Sequence, residues 1–235
     1  DDEDGGHAAG RHALGGGPLT LERFSEMISE STELKELPLI VKADVQGSVE
    51  AVSGALAQLS NEEVKVKILH RGVGAVGEND VQLAAASRAI IVGFNVRPDA
   101  RANDLIEAEG VQLLYSRVIY ELVDLVENAL RGRMSPKFQE KTLGRVEVRQ
   151  TFRIPKQGTI AGSYVLDGVV HRGSFVRLLR DGVVMYEGKM SSLRRFKDDV
   201  REVAAGYECG IGLEGFSDIK DGDVIEVYKV EQIEP

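Results

Sequence analysis

Apolar residues change their spacing once along the chain, near Thr142, and that change divides it in two. From Leu37 to Tyr115, short apolar runs alternate with segments of helical period. Leu39-Ile40-Val41 and the run Ala89 to Val92 read as buried strands, and Val111 to Tyr115 as a further strand. Val64 to Leu69 alternates apolar residues with lysine, so one face of that strand is wet. Between the strands, Gly47 opens a helix with Val49, Val52, Leu56 and Leu59 on one face. Asn79 or Asp80 begins a short helix through Ala86, and Asp99 begins one carrying Ala102, Leu105 and Ile106. Strand–helix alternation of this kind predicts a parallel sheet with covering helices, an α/β domain over 37–116. A helix follows over 117–134, with Val118, Ile119, Leu122, Val123, Leu125, Val126, Ala129 and Leu130 in a broad stripe ended by Ser135-Pro136. A stripe that broad must be covered for part of its length.

Beyond Thr142 the period is 2. Arg145 to Arg149, Phe175 to Leu178, Val183 to Glu187 and Asp223 to Tyr228 alternate. Turn signals at Pro155–Gly158, Leu166–Gly168, Arg180–Gly182 and Lys220–Gly222 separate the strands. Residues 135–235 are therefore expected to form an antiparallel β-barrel, joined to the α/β domain by the 117–134 helix. Upstream, residues 19–36 hold a short helix and a linker. Leu21, Phe24, Met27 and Ile28 make the apolar stripe, and Thr20 is the N-cap, with Arg23 where a capping box would have Glu. Residues 1–18 are Gly- and Ala-rich without apolar period and read as a disordered tail. Its two histidines, His7 and His12, make a poor metal site in a flexible segment.

Composition narrows the function. The 235 residues carry a formal charge of −9, which argues against a nucleic-acid partner until the charge is partitioned. Residues 1–36 carry net −6 and 37–134 net −3, whereas 135–235 are neutral. Within the last part, 135–213 hold fourteen bases against nine acids, net +5. A local basic surface on the barrel is compatible with an acidic whole. One cysteine excludes a disulfide framework within the chain and a multi-cysteine zinc site. No apolar stretch approaches 18 residues, so no membrane span is expected. The Asp-Asp-Glu-Asp start is the opposite of a signal peptide, and a soluble cytoplasmic protein is the expectation, with an organellar matrix the alternative.

Catalytic motifs are weak. Asp44-Val-Gln-Gly-Ser48 sits where a phosphate cradle would lie, but it has one glycine, and Glu50 already occupies the positive end of the helix. Gly182 to Gly188-Lys189 misses P-loop spacing, with Met190 in place of the metal-binding hydroxyl. No nucleotide hydrolysis and no resident cofactor or metal are expected. Cys209 in a strand reads as a small buried residue, the competing reading being a nucleophile paired with His70 or His171. Asp198-Asp199 reads as a solvated turn with local ion pairs.

The informative segment is Arg194-Arg195-Phe196-Lys197, which combines phosphate-contacting cations with an aromatic face for stacking a base. The same pattern also occurs at ordinary solvated strand edges. Nearby Gly206, Gly210 and Gly212 permit close backbone approach.

The run Arg194 to Val203, then Gly206-Tyr-Glu-Cys-Gly-Ile-Gly212, resembles the C-terminal domain of bacterial-type translation initiation factor two. So do Ile154 to Gly162 and Asp218 to Glu226. Val41 to Ala51, Gly72 to Val76 and Gly93 to Pro98 resemble the same factor's α/β domain. The resemblance is colinear over roughly 19–235. It implies the C-terminal half of a translational GTPase that binds formylmethionyl initiator tRNA and works with the small and large ribosomal subunits. The GTPase domain, with its GTP and Mg, would lie upstream, and the chain is expected to be a monomer. Carried over by motif, the initiator-tRNA site falls on Arg194, Arg195, Phe196 and Lys197, with Glu208, Cys209 and Gly210 on the facing strand and Ser163 where the family often has cysteine. In this reading Cys209, Gly210 and Ser163 line an apolar pocket for the formylated amino acid. A docking module for ribosome or protein, without direct tRNA recognition, is the alternative.

Overall fold

The computed structural model describes residues 17–30, 35–132 and 138–232. Most of the proposed tail lies outside them. The two tail residues that are described are tied down: Gly17 O accepts from Arg88 Nη2 at 3.0 Å, and Pro18 O accepts from Arg23 Nη1 at 3.0 Å.

Four parallel strands form the first sheet, in the order β2-β1-β3-β4: β1 (Lys35–Ala43), β2 (Val64–Val73), β3 (Ile90–Phe94) and β4 (Leu113–Ser116). Strand parity sorts their side chains. Leu37, Leu39 and Val41 of β1 face α1 (Leu21–Glu30), α2 (Gln46–Ala57) and α5 (Ile119–Leu130). Ile40 and Ile91 face the opposite layer, α3 (Glu78–Ser87) and α4 (Ala100–Glu109). The result is a three-layer α/β/α sandwich with an apolar core on each side of the sheet.

The helix starts follow local chemistry. Thr20 Oγ1 accepts from Arg23 N at 3.2 Å, and Asp99 Oδ1 accepts from Ala102 N at 2.8 Å, each satisfying an orphan donor of a first turn. α3 begins at Glu78 after Gly77, earlier than the sequence suggests. There Asp80 acts from inside the helix, accepting the Gly77 N–H at 2.9 Å. Of the 117–134 segment, the described residues 117–132 are helical over Ile119–Leu130. Twelve residues make a marginal helix in water, so packing must hold it. Leu122, Val126, Ala129 and Leu130 are buried in the core that α1 and α2 share, the larger side chains contributing roughly 1.5–3 kcal/mol each. α5 is thus a member of the α/β body.

The second body is a closed ring of six antiparallel strands, β5-β6-β11-β8-β7-β12 and back to β5. These are β5 (Phe138–Ile154), β6 (Gly158–His171), β7 (Phe175–Arg180), β8 (Val183–Arg195), β11 (Glu208–Leu213) and β12 (Val224–Gln232). Two short strands, β9 (Asp198–Asp199) and β10 (Glu202–Ala204), are added on β8 and β6. Closure removes the open edges that a sheet would expose. Val146, Val148, Ala161, Val165, Ile211 and Ile225 are among the side chains that fill it.

One turn signal means something else. Leu166-Asp-Gly168 does not reverse the chain but lies within β6. Gly168 has φ +67° and faces Gly144, and a Cβ there would lie 2.0 Å from Leu143 O. The glycine marks a close backbone crossing in the barrel wall.

The bodies meet through the β7–β8 hairpin. Asp181 and Gly182 both have positive φ, 54° and 79°, as a type I′ turn requires. The tip docks beyond β3: Arg97 N donates to Gly182 O at 2.9 Å, Val184 N donates to Asn95 O at 3.1 Å, and Val96 bridges Val183. Behind the tip, Arg177 is buried between the rings of Tyr115 and Tyr228, at 4.5 and 4.3 Å. It pairs with Glu187 at 2.8 Å and Glu140 at 3.0 Å, and approaches Glu226 at 3.7 Å. Arg97 Nε donates to Glu226 Oε1 at 2.9 Å, and Tyr115 Oη donates to Glu187 Oε1 at 2.6 Å. Burial alone would raise the Glu226 pKa, but Arg97, Arg177 and Arg145 outweigh it and hold the carboxyl below its ordinary value.

Candidate nucleic-acid interface

Strand pairing builds the site. Glu208 lies opposite Tyr164 and Gly210 opposite Gly162, while Gly210 also faces Arg194 on β8. Four strands, β5, β6, β11 and β8, thereby form one wall with a cleft of about 640 Å³ on its outer surface. Arg194, Arg195, Phe196, Glu208, Cys209, Gly210 and Ser163 all line it. Lys197 does not. It sits one residue beyond the lining, on the exposed β8–β9 turn.

The strands order this cluster by parity. Leu193 points into the barrel, so its neighbour Arg194 points out, and its Nε donates to Asp199 Oδ1 at 2.8 Å. Arg195 Nε donates to the Glu208 carbonyl at 3.1 Å, and its guanidinium lies 4.8 Å from the Tyr207 ring and 5.6 Å from that of Phe196. Phe196 stands at the turn with φ +56° and is 94% exposed. A phenylalanine in left-handed backbone, with its ring in water, is doubly unfavourable. The β8–β9 turn holds it there.

Parity turns the side chains of Cys209 and Ser163 away from the outer surface of the cleft that both residues border. Cys209 shares its side of β11 with Ile211, and Ser163 shares its side of β6 with Ala161 and Val165; all five are buried. The two residues pair with each other across β11 and β6, and Ser163 Oγ donates to Ala161 O at 3.0 Å. All three border the cleft, but Gly210 faces outward while Cys209 and Ser163 turn their side chains to the core. Burial pushes the Cys209 thiol up to about 11, against a smaller lowering by Arg195. The described histidines are engaged elsewhere, His171 beside Glu202 and His70 beside Asp80. A nucleophilic role for Cys209 has no support in this geometry. Alkylation by iodoacetamide at neutral pH is expected to be slow in the folded chain and to become fast in denaturant. Rapid labelling under native conditions would contradict the burial.

Several lining residues escape sequence reading. Phe152, Ile154 and Ile160 make the apolar end of the cleft, while Arg149 and Tyr164 flank the other. Phe152 and Ile154 stand on a β5–β6 hairpin that projects past the barrel, exposed from Arg149 through Gly158. Their alternation is visible in the sequence, but that the strand outruns its barrel is not.

Further concavities lie on the α/β body, two of them comparable in size to the barrel cleft. One, of about 580 Å³, runs between α2 and the edge strand β2. The other, of about 710 Å³, surrounds Lys42 and Asp80, which pair at 3.2 Å. Neither has the cation–aromatic layering of the barrel cleft. Among the described residues, no group of three or more His, Cys, Asp or Glu is placed to hold a metal ion, and no helix is long and apolar enough to cross a membrane.

Comparison with known proteins follows the same division. The family described as translation-initiation factor 2 matches residues 17–127, and elongation factor Tu domain 2 matches residues 158–226, the barrel from β6 into β12. Translation initiation factor IF-2 of Moorella thermoacetica is 58% identical over 211 residues, covering 90% of this chain and 23% of that protein. The factor of Geotalea daltonii is 56% identical over 215 residues, covering 92% and 24%, and that of Bacillus cytotoxicus 54% identical, covering 92% and 31%. Among solved structures, GDP-bound aIF5B from Aeropyrum pernix aligns with 84% of this chain and 34% of its own, at 21% identity and a TM-score of 0.34. The chain spans about a quarter to a third of the length of the curated relatives it matches. With both bodies matched in order and more than half of the aligned residues identical, the chain belongs to the translation initiation factor IF-2 family.

Proposed function

We propose that the chain acts in translation initiation by holding the acylated 3′ end of formylmethionyl initiator tRNA in the barrel cleft. The single observation that carries this reading is the layered Arg195, Tyr207 and Phe196 beside the Gly162–Gly210 floor, over which Phe152 and Ile160 pack. An exposed ring fixed in strained backbone suits stacking of a terminal base, and the arginines suit the phosphates. The glycines let Phe152 and Ile160 pack close to the backbone, and those two side chains offer an apolar surface to the methionyl group.

Formylation removes the amine charge. A cleft whose lining carries Arg149, Arg194 and Arg195 against one acid, Glu208, offers a free ammonium little compensation and favours the blocked form. GTP hydrolysis belongs, in this reading, to other parts of the whole protein, which works on both ribosomal subunits in the cytoplasm. This part positions the tRNA.

Arg195→Ala tests the assignment. The variant is expected to weaken binding of formylmethionyl initiator tRNA by roughly 1.5–3 kcal/mol, the worth of a hydrogen bond to a charged group, or about 10–150-fold. Unchanged circular dichroism must accompany the loss. Unchanged affinity would favour a docking module without tRNA contact.

A further inference from the structure

Arg149 is the cation in the cleft with the fewest commitments, and the fold presents it deliberately. β5 pairs Val148 with Ser163 and then Gln150 with Gly162, leaving Arg149 as the extra residue of a β-bulge. Bulges re-aim side chains, and this one swings Arg149 over the face of Tyr164, its guanidinium carbon 4.1 Å from the ring centre. Its nearest acid is Glu147, at a long 3.9 Å, and its side chain is half-exposed. By contrast, Arg194 is bound to Asp199 at 2.8 Å and Arg195 to the Glu208 carbonyl at 3.1 Å.

A guanidinium stacked on an aromatic face is held by that face while its N–H edge stays free, the presentation that suits a phosphate. The site is also paired. Arg149 on Tyr164 stands at the β5–β6 side and Arg195 on Tyr207 at the β11–β8 side, so cation–tyrosine layers flank the glycine floor from both directions.

We infer that Arg149 is a second phosphate-contacting residue of the cleft, which takes the backbone of a single-stranded RNA end on the wall opposite Arg195. This rests on the tRNA reading proposed above and extends it to a residue that the motif did not include. Tyr164 is then a positioning residue, acting through Arg149.

The test is a titration of the full chain with formylmethionyl initiator tRNA at salt concentrations from ~50 to ~200 mM, for wild type, Arg149→Gln and Arg149→Lys. Each phosphate contact on a single strand contributes about 0.7 to the slope of log K against log salt. Arg149→Gln is expected to weaken binding about three- to tenfold at the low-salt end and to flatten the slope by about 0.7. Arg149→Lys keeps the charge, so it should retain the slope while binding more weakly than wild type. A loss in Arg149→Gln with no change of slope, or no loss at all, overturns the inference. Wild-type chain that fails to bind, or binds formylated and unformylated tRNA equally, instead overturns the underlying reading.

Discussion

Arg177→Ala is expected to lower the free energy of unfolding by about 3–5 kcal/mol, the cost of removing one partner from a buried charge cluster. Arg177 is 1% exposed, sandwiched by two tyrosines and surrounded by three glutamates. Its removal leaves Glu226, itself 2% exposed, with Arg97 as its close partner. Because Tyr115 belongs to the α/β body and Arg177, Tyr228 and Glu226 to the barrel, the same substitution should separate the two bodies' unfolding. Urea titration followed by a tyrosine signal is expected to show one transition in wild type and two in the variant. A single transition at the wild-type midpoint would contradict the account of this interface.

The interface should also respond to acid. Glu226 has a depressed pKa, so its contribution is fully present above the ordinary carboxylate value of 4.5 and is lost as pH falls through the lower folded-state value. Docking of the bodies should therefore be insensitive to pH between about 5.5 and neutrality and weaken only in acid below that window.

Phe196→Gly is expected to move stability and binding in opposite directions. The ring is 94% exposed and contributes little to the core, while its φ of +56° costs about 1 kcal/mol or more for a residue with a Cβ. Glycine relieves that strain, offset in part by its greater freedom in the unfolded chain. The midpoint of thermal unfolding should stay level or rise. tRNA binding should fall by roughly 1–3 kcal/mol, the worth of one base stacked on an aromatic side chain, or about 5–150-fold. A drop in both properties would mean that Phe196 packs against the fold and is not held out for a ligand.

The architecture was legible in the sequence because hydrophobic period is a local property. The switch at Thr142 from helical to alternating spacing separates the two bodies, and the Arg180-Asp-Gly182 signal is the β7–β8 turn that the structure contains. Leu166-Asp-Gly168 misled because a glycine needed for a close crossing looks like a glycine needed for a reversal. Only the neighbour at Leu143 tells them apart.

Seven of the eight residues gathered by motif line the cleft, but the motif does not carry their orientation. Strict alternation along Ala161, Gly162, Ser163, Tyr164 and Val165 already places Ser163 with the core and Tyr164 outside. Cys209 follows the same logic from Ile211. Alternation from Val146 and Val148 already places Arg149 outside, but its stacking on Tyr164 depends on pairing with the partner strand. The interface between the bodies was hidden: Arg97, Tyr115, Arg177 and Glu226 are far apart in sequence, and no local pattern brings them together.

The charge of −9 weighs little against RNA binding once the residues are placed. The cleft lies within the 135–213 stretch of net +5. No residue that lines it takes part in the contacts described between the two bodies, so the docked arrangement leaves it open. The most direct test of the central claim is a binding titration of the chain with initiator tRNA carrying methionine, formylated in one arm and unformylated in the other. The formylated form is expected to bind at least about tenfold tighter, the factor that 1.4 kcal/mol of uncompensated ammonium charge would produce. Equal affinity for the two would contradict it.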